Sequence, residues 1–183
     1  MAAWRKASSW GADAVATKSR AVILDRDGVL NVDHGFVGDF ARFEWIPGAR
    51  AAVRRWNEEA RLVIVATNQS GIARGYFDEA AVERLHDAMA RDLAADGARL
   101  DAIYVCPFHA EATIAAFRHP DHPDRKPNPG MILRALADFG LRPDDVVMIG
   151  DKESDLEAAR RAGVRGLLFD GGDLAAFAEA RGL

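Results

Sequence analysis

Asp25 and Asp27 stand one residue apart and are followed by Gly28, a string able to do phosphoryl chemistry. One carboxylate can attack phosphorus while the other stands beside the leaving oxygen, and the glycine lets the chain turn. Alone the string decides little, because a D-x-D-G run arises by chance in about one chain in twenty of this length. Three later segments offer complementary groups. Thr67-Asn68-Gln69-Ser70-Gly71 brings a hydroxyl and successive backbone N–H groups, an anion cradle in form, although the same residues also suit an ordinary turn. Arg125-Lys126-Pro127 brings cations, and Lys126 could neutralise a phosphoryl oxygen, though an isolated lysine is normally just a solvated charge. Gly150-Asp151-Lys152-Glu153-Ser154-Asp155 brings a carboxylate, Asp151, suited to a hard cation.

These types answer one chemical problem. A carboxylate approaching a phosphate dianion meets repulsion of roughly 4 kcal/mol per charge pair at an effective dielectric near 20, so positive charge must be in place first. Magnesium and Lys126 can supply it. The ion would take Asp25, Asp151 and a backbone carbonyl near Asp27, with phosphate and waters completing an octahedron. Asp25 is then the nucleophile, and Asp27 protonates the departing alkoxide and later deprotonates the hydrolytic water.

The elements that must carry these groups are legible as short apolar runs: 21–24, 62–66, 102–106 and 146–149, with a fifth at 166–169. The first four lack polar alternation and read as strands buried on both faces. Helix-period segments lie between them: 48–60 with Ala52, Val53, Trp56 and Ala60 on one face, 78–96 with Val82, Leu85, Met89 and Leu93, and 129–139 with Ile132, Ala135, Leu136 and Phe139. Asn128 is placed to cap the last of these, with Pro129 at its first position and Gly140 past its end. The expected class is α/β, a doubly wound, mainly parallel sheet with helices on both faces and right-handed crossovers. Active sites of such sheets lie at the strands' carboxyl ends, where all four segments fall. Independent turns would not be expected to deliver a nucleophile, an acid, a cradle, a lysine and a metal carboxylate in that order.

The bulk properties narrow the function classes. The 183 residues suit one domain, and 49% hydrophobic with 28% charged residues is a globular composition. A formal charge of -4 gives no general attraction to nucleic acid, and a basic, aromatic stripe for a strand is missing. The single cysteine, Cys106, excludes an internal disulfide and fits a reducing compartment. No apolar run is long enough to span a bilayer, and polar residues interrupt segment 1–20, so neither a membrane span nor a secretory signal is expected. The reading is a loosely docked extension over 1–20, a single catalytic domain over 21–183, a monomer and a cytoplasmic location.

The strings LDRDGVLNVDHGFV, ATNQSGIARG, RKPNPGM and IGDKESDLEAA together resemble the haloacid dehalogenase (HAD) superfamily, over residues 21–169. They are most similar to its branch that hydrolyses heptose bisphosphates and histidinol phosphate. The resemblance implies a Mg2+-dependent phosphatase of a small phosphosugar, a heptose bisphosphate ahead of histidinol phosphate, feeding activated-heptose synthesis for surface polysaccharide. It implies Asp25 as nucleophile, Asp27 as acid and base, Thr67 and Lys126 as transition-state stabilisers, and Asp25, Asp27 and Asp151 around magnesium. Asp33, His34, Gly35, Phe36, Asn68, Gln69, Ser70, Arg125 and Lys152 would contact substrate, in an open site without a large cap domain. An inactive module that only binds a phosphate ligand is the rival from another class, but it would need no general acid. Relatives often hold a structural zinc through C-x-H and C-x-C pairs. This chain keeps Cys106, has Phe108 at the second ligand's place and lacks later cysteines. Cys106, His109, His119 and His122 could form a substitute zinc site, but prolines 107, 120 and 123 can order the loop without metal, and no zinc is expected.

Overall fold

The computed structural model describes residues 4–7 and 20–183, the former as backbone alone. Six strands form one sheet: β1 Trp4–Ala7, β2 Ala21–Leu24, β3 Leu62–Asn68, β4 Ala102–Cys106, β5 Val146–Gly150 and β6 Arg165–Leu168, in the order β1-β4-β3-β2-β5-β6. β2 to β6 are mutually parallel, and β1 joins β4 antiparallel at the edge. Every residue of β2 and β4, and all of β3 before Asn68, is buried. Since consecutive side chains point to opposite faces, both faces of the sheet are covered at its centre. β6 is half-exposed and starts one residue earlier than its apolar run, as suits an edge strand. β3 runs two residues further than expected and carries Thr67 and Asn68 within it.

The helices are α1 Ala49–Glu58, α2 Ser70–Ala73, α3 Glu79–Ala95, α4 Gly130–Phe139, α5 Glu153–Arg161 and α6 Leu174–Glu179. α1 buries Ala52, Val53 and Trp56 as its periodicity predicts, but ends before Ala60, which is exposed with φ 55°. α3 starts on Asp78, whose carboxylate accepts from Ala81 N–H, and buries Val82, Leu85, His86, Met89 and Leu93. α4 departs from the expected cap. Pro129 itself is the flanking residue, and Asn128 instead donates to the carbonyl of His122 at 3.1 Å and to Asp121. Gly140 closes α4 in the left-handed region.

Within the extension expected over 1–20, Trp4–Ala7 pairs with β4 as an edge strand; residues 1–3 and 8–19 lie outside the described residues.

Candidate active site

The parallel ladder sets the site. Asp25 N–H donates to the carbonyl of Ile149 at 3.0 Å and Gln69 N–H to that of Cys106 at 2.7 Å, so pairing continues one step beyond β2 and β3 before the chains diverge. After Asp25 the chain curls back, with Gly28 N–H on the Asn31 carbonyl at 2.7 Å and Leu30 N–H on that of Arg26 at 2.9 Å. Val29 and Leu30 are buried and anchor this turn in the core. Gly28 has φ +88°, and a Cβ there would stand 2.2 Å from Asp151 Oδ2. The glycine thus permits both the turn and the approach of the fourth segment's carboxylate.

The turn opens into a pocket of about 610 Å³ lined by Asp25, Asp27, Asp33, Gly35, Phe36, Asn68, Gln69, Ser70, Arg125, Lys126, Lys152 and Asp155, among others. At its base Lys126, buried, sits 3.0 Å from Asp25 Oδ1 and 2.6 Å from Asp155 Oδ1. Burial pushes the Asp25 carboxyl up to about 6, helped by the neighbouring charges of Asp155 and Asp27 and opposed by Lys126. Burial pulls Lys126 down, but the two carboxylates outweigh it and hold the ammonium charged.

Among the described residues one group of carboxylates could hold a metal: Asp25, Asp151 and Asp155, with ligand atoms within 4.8 Å of one another. Asp151 Oδ1 is buried and has no hydrogen-bond partner, an acceptor left for a cation. Three hard oxygens fit magnesium. Asp155 adds a carboxylate to the expected pair of Asp25 and Asp151, beside the backbone carbonyl near Asp27 that the sequence reading set on the ion. The side chain of Asp27 is engaged elsewhere, by Arg26 at 2.9 Å, Asn31 at 3.0 Å and Gln69 at 2.9 Å. The sequence reading missed Asp155, whose one signal is its place one turn beyond Asp151, at the third position of α5, where it also accepts from Lys152 N–H.

Other expected contacts are redistributed. Asn68 and Lys126 exchange reciprocal bonds, Nδ2 to the Lys126 carbonyl at 3.0 Å and Lys126 N–H to Oδ1 at 3.1 Å. Asn68 therefore braces the lysine loop although it lines the pocket. Thr67 is fully buried and its hydroxyl accepts from Gln69 Nε2 at 2.9 Å. His34 does not line the pocket: it turns to Glu44 at 2.9 Å. Phe36 is exposed at the rim, in the left-handed region at φ 51°, edge-on to Tyr76. Lys152 pairs with Asp33 at 3.2 Å and Asp151 at 3.4 Å; burial lowers it, but these partners raise it on balance. Arg125 donates to the Phe108 carbonyl at 3.0 Å.

Cys106, His109, His119 and His122 do not gather as a metal group among the described residues. Phe108 stacks face to face on His122 at 3.9 Å and contacts Phe117 and His119 edge-on. Each histidine's Nδ1 accepts a backbone N–H two residues on.

An aspartate held against a lysine, a second aspartate on the same turn and a carboxylate cluster stand together at the carboxyl ends of a parallel sheet, an arrangement that fits a phosphoric monoester hydrolase of the HAD type. Residues 124–180 match the HAD-hydrolase-like family. A D-glycero-beta-D-manno-heptose-1,7-bisphosphate 7-phosphatase of Rhodopseudomonas palustris is 43% identical over 90% of this chain and 91% of its own. The D-glycero-alpha-D-manno counterpart of Burkholderia mallei is 44% identical over 80% and 77%. The crystal structure of the D,D-heptose 1,7-bisphosphate phosphatase from B. bronchiseptica, complexed with magnesium and phosphate, superposes with a TM-score of 0.74 at 36% identity, covering 88% of this chain and 86% of that one. The chain belongs to the heptose-1,7-bisphosphate 7-phosphatase family of the HAD superfamily.

Proposed function

We propose that this chain hydrolyses the 7-phosphate of D-glycero-D-manno-heptose 1,7-bisphosphate, with magnesium, through an aspartyl-phosphate on Asp25. The similarity to 7-phosphatases over nine-tenths of its length, with the pocket's chemical groups in place, carries the reading. Asp25, Asp151 and Asp155 would hold the magnesium, which supplies positive charge against the incoming phosphate. Asp25 attacks phosphorus as the bond from phosphorus to the sugar's primary oxygen breaks, and Asp27 gives that oxygen a proton. Water then attacks the aspartyl-phosphate, Asp27 takes a proton from it, and inorganic phosphate leaves. Lys126 steadies the phosphoryl oxygens throughout.

Arg125 and Lys152 line the pocket and suit the distal phosphate. Asp33, which could pair with the ammonium of a substrate such as histidinol phosphate, is already paired with Lys152. Relatives of nearly equal identity carry opposite anomers in their names, so similarity does not select one. A monomer acting in the cytoplasm is part of the proposal, and no helix among the described residues is long and apolar enough to cross a membrane. Phosphorus NMR of the bisphosphate incubated with enzyme and magnesium tests the reading: the 7-phosphate signal should give way to inorganic phosphate while the 1-phosphate persists. Loss of the 1-phosphate, or no reaction, would refute it.

A further inference from the structure

Between the two aspartates stands Arg26, whose side chain is 0% exposed. Burying a guanidinium is costly unless its charge is paired and its donors are satisfied. Here the donors are well occupied. Nε reaches Asp27 Oδ1 at 3.2 Å, and Nη2 reaches Oδ1 and Oδ2 at 2.9 Å each. Nη2 also donates to the Val37 carbonyl at 2.6 Å and to Gln69 Oε1 at 3.1 Å, while Nη1 meets His86 Nε2 at 3.2 Å. Because a guanidinium only donates, His86 Nε2 must be the accepting nitrogen, which places the imidazole proton on Nδ1. His86 is itself fully buried, on α3.

Four segments thus meet on one side chain: the aspartate turn, the chain just past the rim residue Phe36, the end of β3, and α3. On the other side of the Asp27 carboxylate, Asn31 Nδ2 holds Oδ1 at 3.0 Å and Gln69 Nε2 holds Oδ2 at 2.9 Å. A carboxylate on a surface turn would sample several rotamers, whereas this one is clamped on both oxygens while its side chain keeps 17% exposure toward solvent.

We propose that Arg26, backed by His86, is a positioning residue that fixes the direction in which Asp27 hands its proton to the leaving oxygen. The proposal rests on the phosphatase chemistry assigned above to Asp25 and Asp27. Misplacing a reacting group by about 1 Å can cost about a hundredfold, and a lysine cannot reproduce the fork that holds both carboxylate oxygens. The effect should depend on the leaving group, because an alkoxide needs the proton and p-nitrophenolate departs without it.

The test compares kcat/KM, which reports the step expelling the alcohol, for a primary-alkyl phosphate and for p-nitrophenyl phosphate with saturating magnesium. Wild type, Arg26→Lys and His86→Leu are compared, each first checked for native circular dichroism. Arg26→Lys should lower the alkyl ester's value about ten- to a hundredfold. His86→Leu, which leaves Nη1 without its acceptor, should lower it about three- to tenfold. The p-nitrophenyl ester should stay within about threefold in both, since only the proton transfer is disturbed. Parallel losses on the two esters, or an unchanged alkyl value, would overturn the proposal by showing a merely structural arginine. Should Arg26→Lys fail to fold, the ratio in His86→Leu decides in the same way. If wild type hydrolyses neither ester, the proposed function falls and the inference with it.

Discussion

Replacing Lys126 by methionine removes the ammonium and keeps most of the stem's volume, leaving Asp25 and Asp155 to face each other in a buried site. At 3.0 and 2.6 Å, each pair has roughly 5–6 kcal/mol of Coulomb attraction at an effective dielectric near 20. The ammonium's desolvation offsets much of that, and deleting one partner of a buried pair typically costs about 3–5 kcal/mol net. The loss should depend on pH. Asp25 already stands near 6 in the folded protein, and removing Lys126 raises it further. The folded variant then holds a proton that the unfolded chain, with an ordinary carboxylate, has shed. A folded state that binds more protons gains stability as pH falls. The deficit should therefore be largest at pH 8.5, shrink toward pH 6 and level off below, because wild-type Asp25 protonates there as well. Lys126 stays charged across this window in wild type, since its own value is raised. Urea unfolding in chelator at pH 8.5 and 5.5, with the slope checked for constancy, measures the difference. A deficit below about 1 kcal/mol at pH 8.5, or one equal at both pH values, would refute the reasoning.

Magnesium should raise the unfolding midpoint clearly at pH 8 and little at pH 5, because a proton on Asp25 below about 6 removes one anionic ligand; equal shifts at both pH values would contradict the assignment of Asp25, Asp151 and Asp155. Phe108→Ala should cost about 3–5 kcal/mol, since Phe108 is 4% exposed and stacked on His122. Chelation followed by return of magnesium should leave the wild-type midpoint unchanged, and a stoichiometric zinc whose removal unfolds the protein would show that the loop is metal-held. Asp25→Asn should keep the fold and lose at least several orders of magnitude in turnover, because an amide cannot form the acyl phosphate; turnover within about tenfold of wild type would exclude Asp25 as nucleophile.

Much of this was legible in the sequence, and what escaped shares a cause. The central strands announced themselves because burial on both faces demands unbroken apolar runs, and the site segments followed from the rule that such sheets react at their carboxyl ends. Long-range pairing is what a single chain conceals. The bond between Asn68 and Lys126 joins residues 58 positions apart, and the pair of His34 and Glu44 depends on how the rim loop folds back. Asp155 escaped because its role needs α5 to turn it under Gly150 toward Lys126. A Cβ on Gly150 would meet its side chain at 2.1 Å, a closeness that shows how tightly strand and helix approach. Arg26 carried no signal of its own between two aspartates, and only its burial revealed the contacts with His86 and Gln69. The strand at Trp4–Ala7 carries Arg5 and Lys6, too polar a pattern to stand out as part of a sheet.

The central claim concerns the substrate. On the proposed reading, histidinol phosphate and the heptose bisphosphate both present a primary-alcohol phosphate to Asp25, so they differ at the pocket's edge, where Arg125 is cationic and Lys152 is paired with Asp33 and Asp151. The most direct measurement is kcat/KM for D-glycero-D-manno-heptose 1,7-bisphosphate against histidinol phosphate, on the same enzyme with saturating magnesium. One or two charge-assisted contacts to the second phosphate, at about 1.5–3 kcal/mol each, predict a preference for the bisphosphate of at least about a hundredfold. Equal turnover of the two would leave a phosphatase with no claim on heptose.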